Sequence, residues 1–154
     1  MKNGRLPASA LQSIPGGKLR KGASARSWLA MRYFIGRRNG VWIKPGGPRS
    51  SYRSFAAQEE FYRAYQNGSG ALAARPGTSN HGWGLAVDDP SAQSQKAIVT
   101  VGHLFGWGIR GGELDSDAPS ERWHASFVLG AQGKMTAKAR WWYARYRLAL
   151  KKNK

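Results

Sequence analysis

Four residues in the middle of the chain have the types and spacing from which a metal-dependent hydrolase is built. His81 and Asp88 lie seven residues apart, and Glu121 precedes His124 by three residues. Two imidazoles and one carboxylate form a common ligand set for catalytic zinc, and they leave a fourth position open for water. A carboxylate placed over that water can act as a general base. These residues therefore indicate acid–base chemistry at a metal ion.

The interval between His81 and Asp88 requires an irregular backbone. On a regular strand, residues seven apart point to opposite faces of the sheet. Gly82 and Gly84 permit a turn or bulge that would bring both side chains to one ion. The neighbours of His124 fit a strand, so we expect His124 to lie on a different strand from Asp88.

The third histidine, His103, lies beside Gly102 and Leu104 in the middle of a predicted helix. A single histidine in such a place is more often a packed or solvated polar residue than a ligand. We therefore expect His103 to be structural or exposed.

The charge of the chain is strongly basic and unevenly distributed. Lys and Arg total 25 against 8 Asp and Glu, which gives a net charge of +17 and a pI near 11.0. This excess indicates a polyanionic partner, namely nucleic acid, an acidic membrane surface or an anionic cell envelope. All eight acids lie between Glu59 and Glu121, in the stretch that also holds His81 and His103. A purely electrostatic binder gains nothing from that clustering, so it favours a metal or acid–base site.

The composition also excludes several classes of protein. The chain has no cysteine, which excludes a disulfide framework, thiolate zinc sites, iron–sulfur clusters and cysteine nucleophiles. No apolar run approaches the length of a transmembrane helix. The N-terminus is positively charged but lacks the continuous apolar segment of a signal peptide.

The segments expected to position the site are short strands that alternate with helices. We expect an extended arm over about 1–23, helices that begin at Ser24, Ser54 and Ser91, strands at 41–43, 84–88, 107–109 and 123–129, and a basic C-terminal helix over about 136–150. The helix that Ser24 caps should end at Gly36. A length of 154 residues predicts one domain over 1–154. The pattern indicates an α+β fold with a small, mostly antiparallel sheet flanked by helices.

The C-terminal helix combines tryptophan, tyrosine and many cations. On a helical wheel its basic residues do not gather on one face, so the pattern does not predict a simple membrane-surface helix. The favoured interpretation is a last helix that packs its aromatic residues on the core and leaves its cations hydrated. An element that binds the anionic cell wall is the alternative.

Three segments resemble the motifs of one family. Residues 79–88, SNHGWGLAVD, resemble the Ser-x-His-x-x-Gly-x-Ala-x-Asp motif of the VanY-like zinc peptidases, which include D-alanyl-D-alanine carboxypeptidases and L-alanyl-D-glutamate endopeptidases. Residues 121–124, ERWH, match the second motif of that family, Glu-x-Trp-His. Residues 52–54, Tyr-Arg-Ser, followed by Gln58, resemble an upstream segment of the family. The motifs occur in the family's order over about residues 50–128, half of the chain.

The resemblance implies a fold of the hedgehog/DD-peptidase type and a Zn2+ cofactor. It implies that His81, Asp88 and His124 bind the zinc ion. It further implies that Glu121 is the general base and that Arg53 faces the scissile carbonyl, where it shares the developing oxyanion charge with the metal.

Two polar residues of the motifs, Ser79 and Gln58, have two interpretations. Either residue could hold substrate. Alternatively, Ser79 caps its own loop and Gln58 packs the helix that carries it. The residues alone favour neither interpretation.

The resemblance implies hydrolysis of an amide bond in the peptidoglycan stem peptide. We expect an L-Ala–D-Glu endopeptidase, with D-alanyl-D-alanine carboxypeptidase as the alternative. Because no signal peptide is recognised, we expect a bacteriophage endolysin that is made in the host cytoplasm and acts at the cell wall after release. Anionic cell-wall polymers should attract its positive charge, more weakly as salt rises. We expect a monomer with no membrane span and no specific nucleic-acid partner.

A non-catalytic cationic protein that binds nucleic acid or the cell wall is the rival from another class. The positive charge and the interleaved aromatic residues suit such a protein. However, the sequence shows no helix-turn-helix, zinc-knuckle or RNP-like pattern, and a catalytically inactive relative would have no need of Glu121. The rival predicts salt-sensitive DNA binding without bound zinc.

Overall fold

The computed structural model describes residues 1–109, 123–129 and 133–152. In chain order the strands and helices are β1 (Leu11–Ile14), β2 (Gly17–Arg20), α1 (Ala23–Asn39), α2 (Phe55–Gln66), β3 (Ala86–Asp88), α3 (Ala92–Val101), β4 (Trp107–Ile109), β5 (His124–Phe127) and α4 (Ala137–Lys152). Short 3-10 helices occupy Ala8–Ala10, Asn80–Trp83 and Gly102–Phe105. The expected α+β class with small antiparallel sheets is confirmed.

A three-stranded antiparallel sheet in the order β3-β5-β4 holds the centre of the site. In its register Asp88 lies opposite His124, and Trp107 lies opposite Phe127. Trp107 packs edge-on against Trp28 of α1, with ring centroids 4.9 Å apart. The sheet therefore has one end at the polar site and is fixed to the core by aromatic side chains.

Helix α1 is the central element of the hydrophobic core. Its residues Trp28 and Met31 are fully buried, and the core cluster extends from them to all strands and to α3 and α4. Phe34 of α1 contacts Trp142 of α4, with ring centroids 5.0 Å apart. Burial of each large apolar side chain contributes about 1.5–3 kcal/mol, so α1 is a rigid support for the elements around it.

The N-terminal residues form a hairpin, and the expectation of an extended arm over about 1–23 is wrong in this respect. Strands β1 and β2 pair in antiparallel register from Leu11 opposite Arg20 to Ile14 opposite Gly17. Gly16 makes the turn at a φ of 88°, a conformation that glycine adopts without steric cost. Leu19 is fully buried in the core. Burial of its side chain stabilises the hairpin. The Pro-Gly-Gly segment at 15–17 predicts the turn, but not the pairing of the strands on either side of it.

The expectation of a strand at residues 41–43 is also wrong. Ile43 is fully buried, but its carbonyl accepts a hydrogen bond from Nη1 of Arg32 at 2.6 Å instead of pairing with a strand. Trp42 lies under the guanidinium of Arg32, 5.2 Å from the ring centroid. The apolar side chains at 41–43 thus pack on α1 from an irregular segment.

The bounds of α1 differ from the expectation at both ends. The helix begins after Gly22, and Ser24 does not cap it; the Ser24 hydroxyl donates to the carbonyl of Gly84 at 2.8 Å. The helix continues through Gly36 and ends at Gly40, which has a φ of 70°. Gly36 lies against the Trp42 ring, where a side chain would collide, so this glycine permits packing and does not end the helix.

The caps expected at the other two helices are confirmed. The Ser54 hydroxyl accepts from the backbone N–H of Ala57 at the start of α2, and the Ser91 hydroxyl accepts from that of Ser94 at the start of α3. His103 lies in the 3-10 helix that follows α3 and is exposed, as expected.

Candidate metal centre

His81 reaches the site from a tight helical turn. It lies in the 3-10 helix Asn80–Trp83, whose first turn is capped by the Ser79 hydroxyl, which accepts from the His81 N–H at 3.2 Å. Gly84 ends this helix at a φ of 65°, and a side chain there would collide with the backbone of Arg20. The chain then enters β3. The expected glycine turn between His81 and Asp88 is therefore present and is made by Gly84.

The sheet register supplies the rest of the cluster. Asp88 ends β3 directly opposite His124, the first residue of β5. Oδ1 of Asp88 lies 2.9 Å from Nδ1 of His124, and Oδ2 lies 3.2 Å from Nε2 of His81. One ligand atom from each of these residues lies within 4.8 Å of the others. The structure thus brings together the three residues that the sequence singled out, with Asp88 and His124 on different strands as expected.

In each histidine, the ring nitrogen that does not contact Asp88 has a hydrogen-bond partner. Nδ1 of His81 lies 2.8 Å from the carbonyl oxygen of Ser51 and donates to it; in the neutral ring, which has one proton, Nε2 then has a lone pair that can bind a cation. Nε2 of His124 lies 2.9 Å from the hydroxyl of Ser126. This hydroxyl can accept from Nε2–H, which is the tautomer that leaves the Nδ1 lone pair for a cation. Such partners orient the ligands of metal sites.

Burial and charge set the protonation of the cluster. Burial of His81 lowers the pKa of its imidazole, although the nearby Asp88 carboxylate favours the charged form. Burial alone would raise the pKa of Asp88, but the attraction and hydrogen bonds of His81 and His124 outweigh it and lower that pKa strongly. The site therefore holds an ionised carboxylate beside a histidine biased to the neutral form, which are the states that bind a metal.

Arg53 completes the polar cluster on the side of α2. Its Nη2 donates to Oδ2 of Asp88 at 3.2 Å, and its Nε donates to the carbonyl of Arg49 at 3.1 Å. The guanidinium lies 4.3 Å from the ring centroid of Phe61. Its side chain is 14% exposed. A fixed, largely buried cation thus lies beside the carboxylate of the three-residue cluster.

The structure places Ser79 and Gln58 beside the site, and both make structural contacts. The Ser79 hydroxyl caps the turn that carries His81. Gln58 is buried; its Nε2 donates to Oδ1 of Asn3 and to the carbonyl of Arg53, and its Oε1 accepts from the N–H of Gly77. These contacts agree with the structural interpretation of the two residues, in which Ser79 caps its own loop and Gln58 packs the helix that carries it. A role in substrate binding stays a prediction.

The predicted general base, Glu121, lies outside the described residues, and so does the rest of the acidic stretch at 113–121. Its role therefore stays a prediction from the second motif. The described chain resumes at Trp123, directly before His124.

Sequence reasoning missed two residues that support the cluster, Ser51 and Ser126, and both are fully buried. Ser126 had a signal, because residues two apart on a strand share a face and Ser126 follows His124 by two. Ser51 had none, because it acts through its backbone carbonyl, which every residue type possesses.

Comparison with protein-family profiles shows the family to which the chain belongs. The profile described as VanY, D-alanyl-D-alanine carboxypeptidase, matches residues 37–148, well over half of the chain. The chain belongs to the VanY family. The match covers all the motif residues quoted above and confirms the resemblance on which the expected enzyme class rests. No curated protein sequence gives a significant match.

Three solved structures have a similar fold. The D,D-pentapeptidase VanY from a VanB-type vancomycin resistance cassette, a mutant in complex with Zn(II), has a TM-score of 0.57 at 21% identity, covering 92% of each chain. VanYB in complex with D-alanine-D-alanine has a TM-score of 0.58 at 20% identity, covering 100% of this chain and 98% of the other. The LD-carboxypeptidase LdcB has a TM-score of 0.62 at 20% identity, covering 92% and 76%. The expected DD-peptidase type of fold is thus confirmed.

VanY membership confirms the expected class, a peptidase of bacterial peptidoglycan. The rival interpretation as a non-catalytic nucleic-acid-binding protein receives no support from the family or from the fold.

Proposed function

We propose that the chain is a zinc-dependent peptidase that hydrolyses an amide bond of the peptidoglycan stem peptide. One observation carries the proposal: single ligand atoms of His81, Asp88 and His124 lie within 4.8 Å of one another, at one end of the central sheet. Its fold resembles that of the VanY structure in complex with Zn(II). The residue roles below are part of the proposal.

The donor set fits zinc. Two imidazole nitrogens and one carboxylate oxygen are the three protein ligands of many catalytic zinc sites, which keep a fourth position for water or substrate. Both histidines have a partner that can hold the outer ring proton, namely the Ser51 carbonyl and the Ser126 hydroxyl. Zinc held there would act as a Lewis acid toward water and the scissile carbonyl, and it would lower the pKa of the water to about 7.

Two residues of the chain carry the acid–base and electrostatic work in this proposal. Glu121 accepts the proton of the attacking water and delivers it to the leaving amine. Arg53 holds a positive charge beside Asp88, and its proposed role is to stabilise the developing oxyanion. Loss of one such donor typically slows the reaction by ~10²–10³. Arg53 is held from three sides by Arg49, Phe61 and Asp88, so the cation is preorganised.

The comparisons support a D-alanyl-D-alanine carboxypeptidase more than the L-Ala–D-Glu endopeptidase that we expected first. The family carries the description D-alanyl-D-alanine carboxypeptidase, and the similar VanYB structure is in complex with D-alanine-D-alanine. LdcB is itself a carboxypeptidase. We therefore propose removal of a terminal D-Ala as the reaction and retain the endopeptidase as its alternative.

Digestion of purified peptidoglycan tests the proposal. Fragments are identified by mass spectrometry after incubation with the protein, with the protein and a chelator, and with zinc added back. Chelator-sensitive release of D-Ala supports the carboxypeptidase, whereas a new N-terminal D-Glu identifies the endopeptidase. No cleavage of walls from several species, at full zinc occupancy, would refute the catalytic proposal.

The bacteriophage endolysin role stays a prediction and depends on the same choice. Cleavage of L-Ala–D-Glu releases stem peptides from the glycan and weakens the wall, whereas removal of a terminal D-Ala leaves the cross-linked network intact. A fall in turbidity of a suspension of permeabilised cells would support the endolysin role. Trimming without lysis would refute it.

A further inference from the structure

Helix α4 has an inner face that packs on α1. The Trp142 ring lies 5.0 Å from that of Phe34 and 6.0 Å from that of Tyr33, and the Tyr146 ring lies 5.9 Å from that of Tyr33. Ala139, on the same side, is fully buried. This face fixes the rotation of α4 and so decides which side chains point to solvent.

The outer face of α4 carries an apolar strip along its centre. Trp141 is 54% exposed and Leu148 is 58% exposed. Seven residues make almost two full helical turns, so these side chains lie one above the other. Ala137 and Ala144, both exposed, occupy the same strip. Among the described residues, Trp141 contacts the guanidinium of Arg145, 4.6 Å from its ring centroid, and the Trp142 ring at 4.9 Å, yet Trp141 and Leu148 both stay more than half exposed.

Cations flank this strip on both sides. At 100° per residue, Lys138, Arg145 and Lys152 fall on one flank, and Arg140, Arg147 and Lys151 fall on the other. All six are exposed. Helix α4 contains no acidic residue, and none of the ion pairs among described residues involves it. The outer face is therefore a positively charged band with an apolar centre.

We propose that the outer face of α4 docks on the surface of an anionic phospholipid bilayer. A helix that lies in a bilayer interface presents tryptophan and leucine to the acyl-chain boundary and flanking Lys and Arg to the headgroups. The charge of the band complements anionic lipids, and each cation near such a surface strengthens binding. A soluble polyanion would use the cations but has no need of an aligned Trp–Leu strip.

The packing of α4 on α1 adds to what the helical wheel alone shows. The six cations span a wide arc, so they do not form one narrow face. The part of the α4 circumference that packs on α1 carries none of these cations. All six therefore remain on the solvent-exposed side of the helix. Among the described residues no helix is long and apolar enough to cross a membrane; the proposed docking is along the surface.

Vesicle partitioning of the full chain tests the proposal. We expect sedimentation with vesicles of phosphatidylglycerol and phosphatidylethanolamine in equal parts, at ~0.15 M salt, and at least tenfold weaker association with phosphatidylcholine vesicles. The double variant Trp141→Ala/Leu148→Ala should bind the anionic vesicles about tenfold more weakly or worse, because two large apolar groups no longer leave water. The triple variant Arg140→Gln/Arg147→Gln/Lys151→Gln should lose about fivefold per cation.

Matched controls remove equivalent groups elsewhere on the surface. Leu72→Ala/Val99→Ala deletes two exposed apolar side chains outside α4, and it should bind within twofold of the unaltered protein. Circular dichroism verifies that each variant keeps its helices. Hydrolysis of a soluble peptide substrate should not change in Trp141→Ala/Leu148→Ala, so the result does not depend on the proposed reaction.

Two outcomes would overturn the proposal. One is equal vesicle binding by the unaltered protein and Trp141→Ala/Leu148→Ala, which would mean that charge alone drives adhesion. The other is binding to heparin or duplex DNA at least as tight as to anionic vesicles and insensitive to that double variant, which would identify a soluble polyanion as the occupant.

Discussion

The metal centre and the outer face of α4 both depend on positive groups, but they arrange them in opposite ways. In the metal centre, one carboxylate, Asp88, is contacted within 3.2 Å by His81, His124 and Arg53. On α4 six cations flank the apolar strip on both sides, and the helix supplies no carboxylate. The first arrangement neutralises charge locally, and the second accumulates it.

Burial explains why the two arrangements suit different tasks. His81 is 3% exposed and Asp88 19%, so an unpaired charge there would be costly and every group is held by a partner. Trp141 and the cations of α4 remain hydrated, and their electrostatic interactions are screened by salt. The buried cluster provides fixed geometry, as catalysis requires. The exposed band provides charge and apolar area, which suffice for adhesion.

Removal of a ligand should have the largest effect on the buried side of this comparison. His81→Ala deletes one of the three proposed metal ligands, so we expect loss of stoichiometric zinc and a loss of hydrolysis larger than the ~10–100-fold that removal of a ligand's hydrogen-bond partner costs. Metal analysis after dialysis and peptidoglycan digestion measure both. His103→Ala, at an exposed histidine outside the cluster, should leave both unchanged. Full zinc retention by His81→Ala would mean that the cluster is not the metal site.

Removal of the predicted general base should separate binding from catalysis. Glu121→Ala should keep zinc and lose hydrolysis by ~10²–10⁴, the usual contribution of a positioned acid–base group. Zinc content and cleavage rate are measured on the same sample, with Glu60→Ala on the exposed side of α2 as the control. Full activity of Glu121→Ala would assign the base elsewhere.

The partner of His124 should have an intermediate effect on metal affinity. Ser126→Ala removes the hydroxyl that lies 2.9 Å from Nε2 of His124, so the ring loses a group that fixes its orientation. We expect zinc affinity to fall ~10–100-fold, measured by competition with a chromophoric chelator. Ser27→Ala removes another buried hydroxyl, which donates to the carbonyl of Phe105. It should lower stability and leave zinc affinity intact. Equal affinities in the two variants would refute the role of Ser126.

Substitution of the two neighbouring tryptophans of α4 should have the smallest effects among these predictions. The two variants compare the inner face of α4 with its outer face. Trp142→Ala removes contacts with Phe34 and Tyr33 and should lower the free energy of unfolding by about 2 kcal/mol or more. Trp141→Ala should change it by less than about 1 kcal/mol, since the contacts it removes, with the Arg145 guanidinium and the Trp142 ring, belong to a side chain that is 54% exposed. Denaturant unfolding measures both. Equal losses would mean that Trp141 also belongs to the core.

Much of the site was predictable because its chemistry lies in residue types and local turns. His81, Asp88 and His124 were identified by type and motif, and the glycine turn between the first two follows from their odd interval. The N-terminal hairpin and the irregular segment at 41–43 were not predicted correctly. Both errors concern short apolar runs whose state depends on contacts made in the folded chain. Residues 11–20 pair as the two strands of a hairpin, whereas residues 41–43 pack on α1 through their side chains without pairing.

The sequence by itself determined the donor set, the order of the motifs, the caps at Ser54 and Ser91 and the excess of positive charge. Only the tertiary structure decided that Asp88 lies opposite His124, that a backbone carbonyl holds His81, and that every cation of α4 faces solvent. The reason is physical. Residue type and local spacing specify chemistry and turns, whereas strand register and helix rotation are set by which apolar side chains pack together across the core.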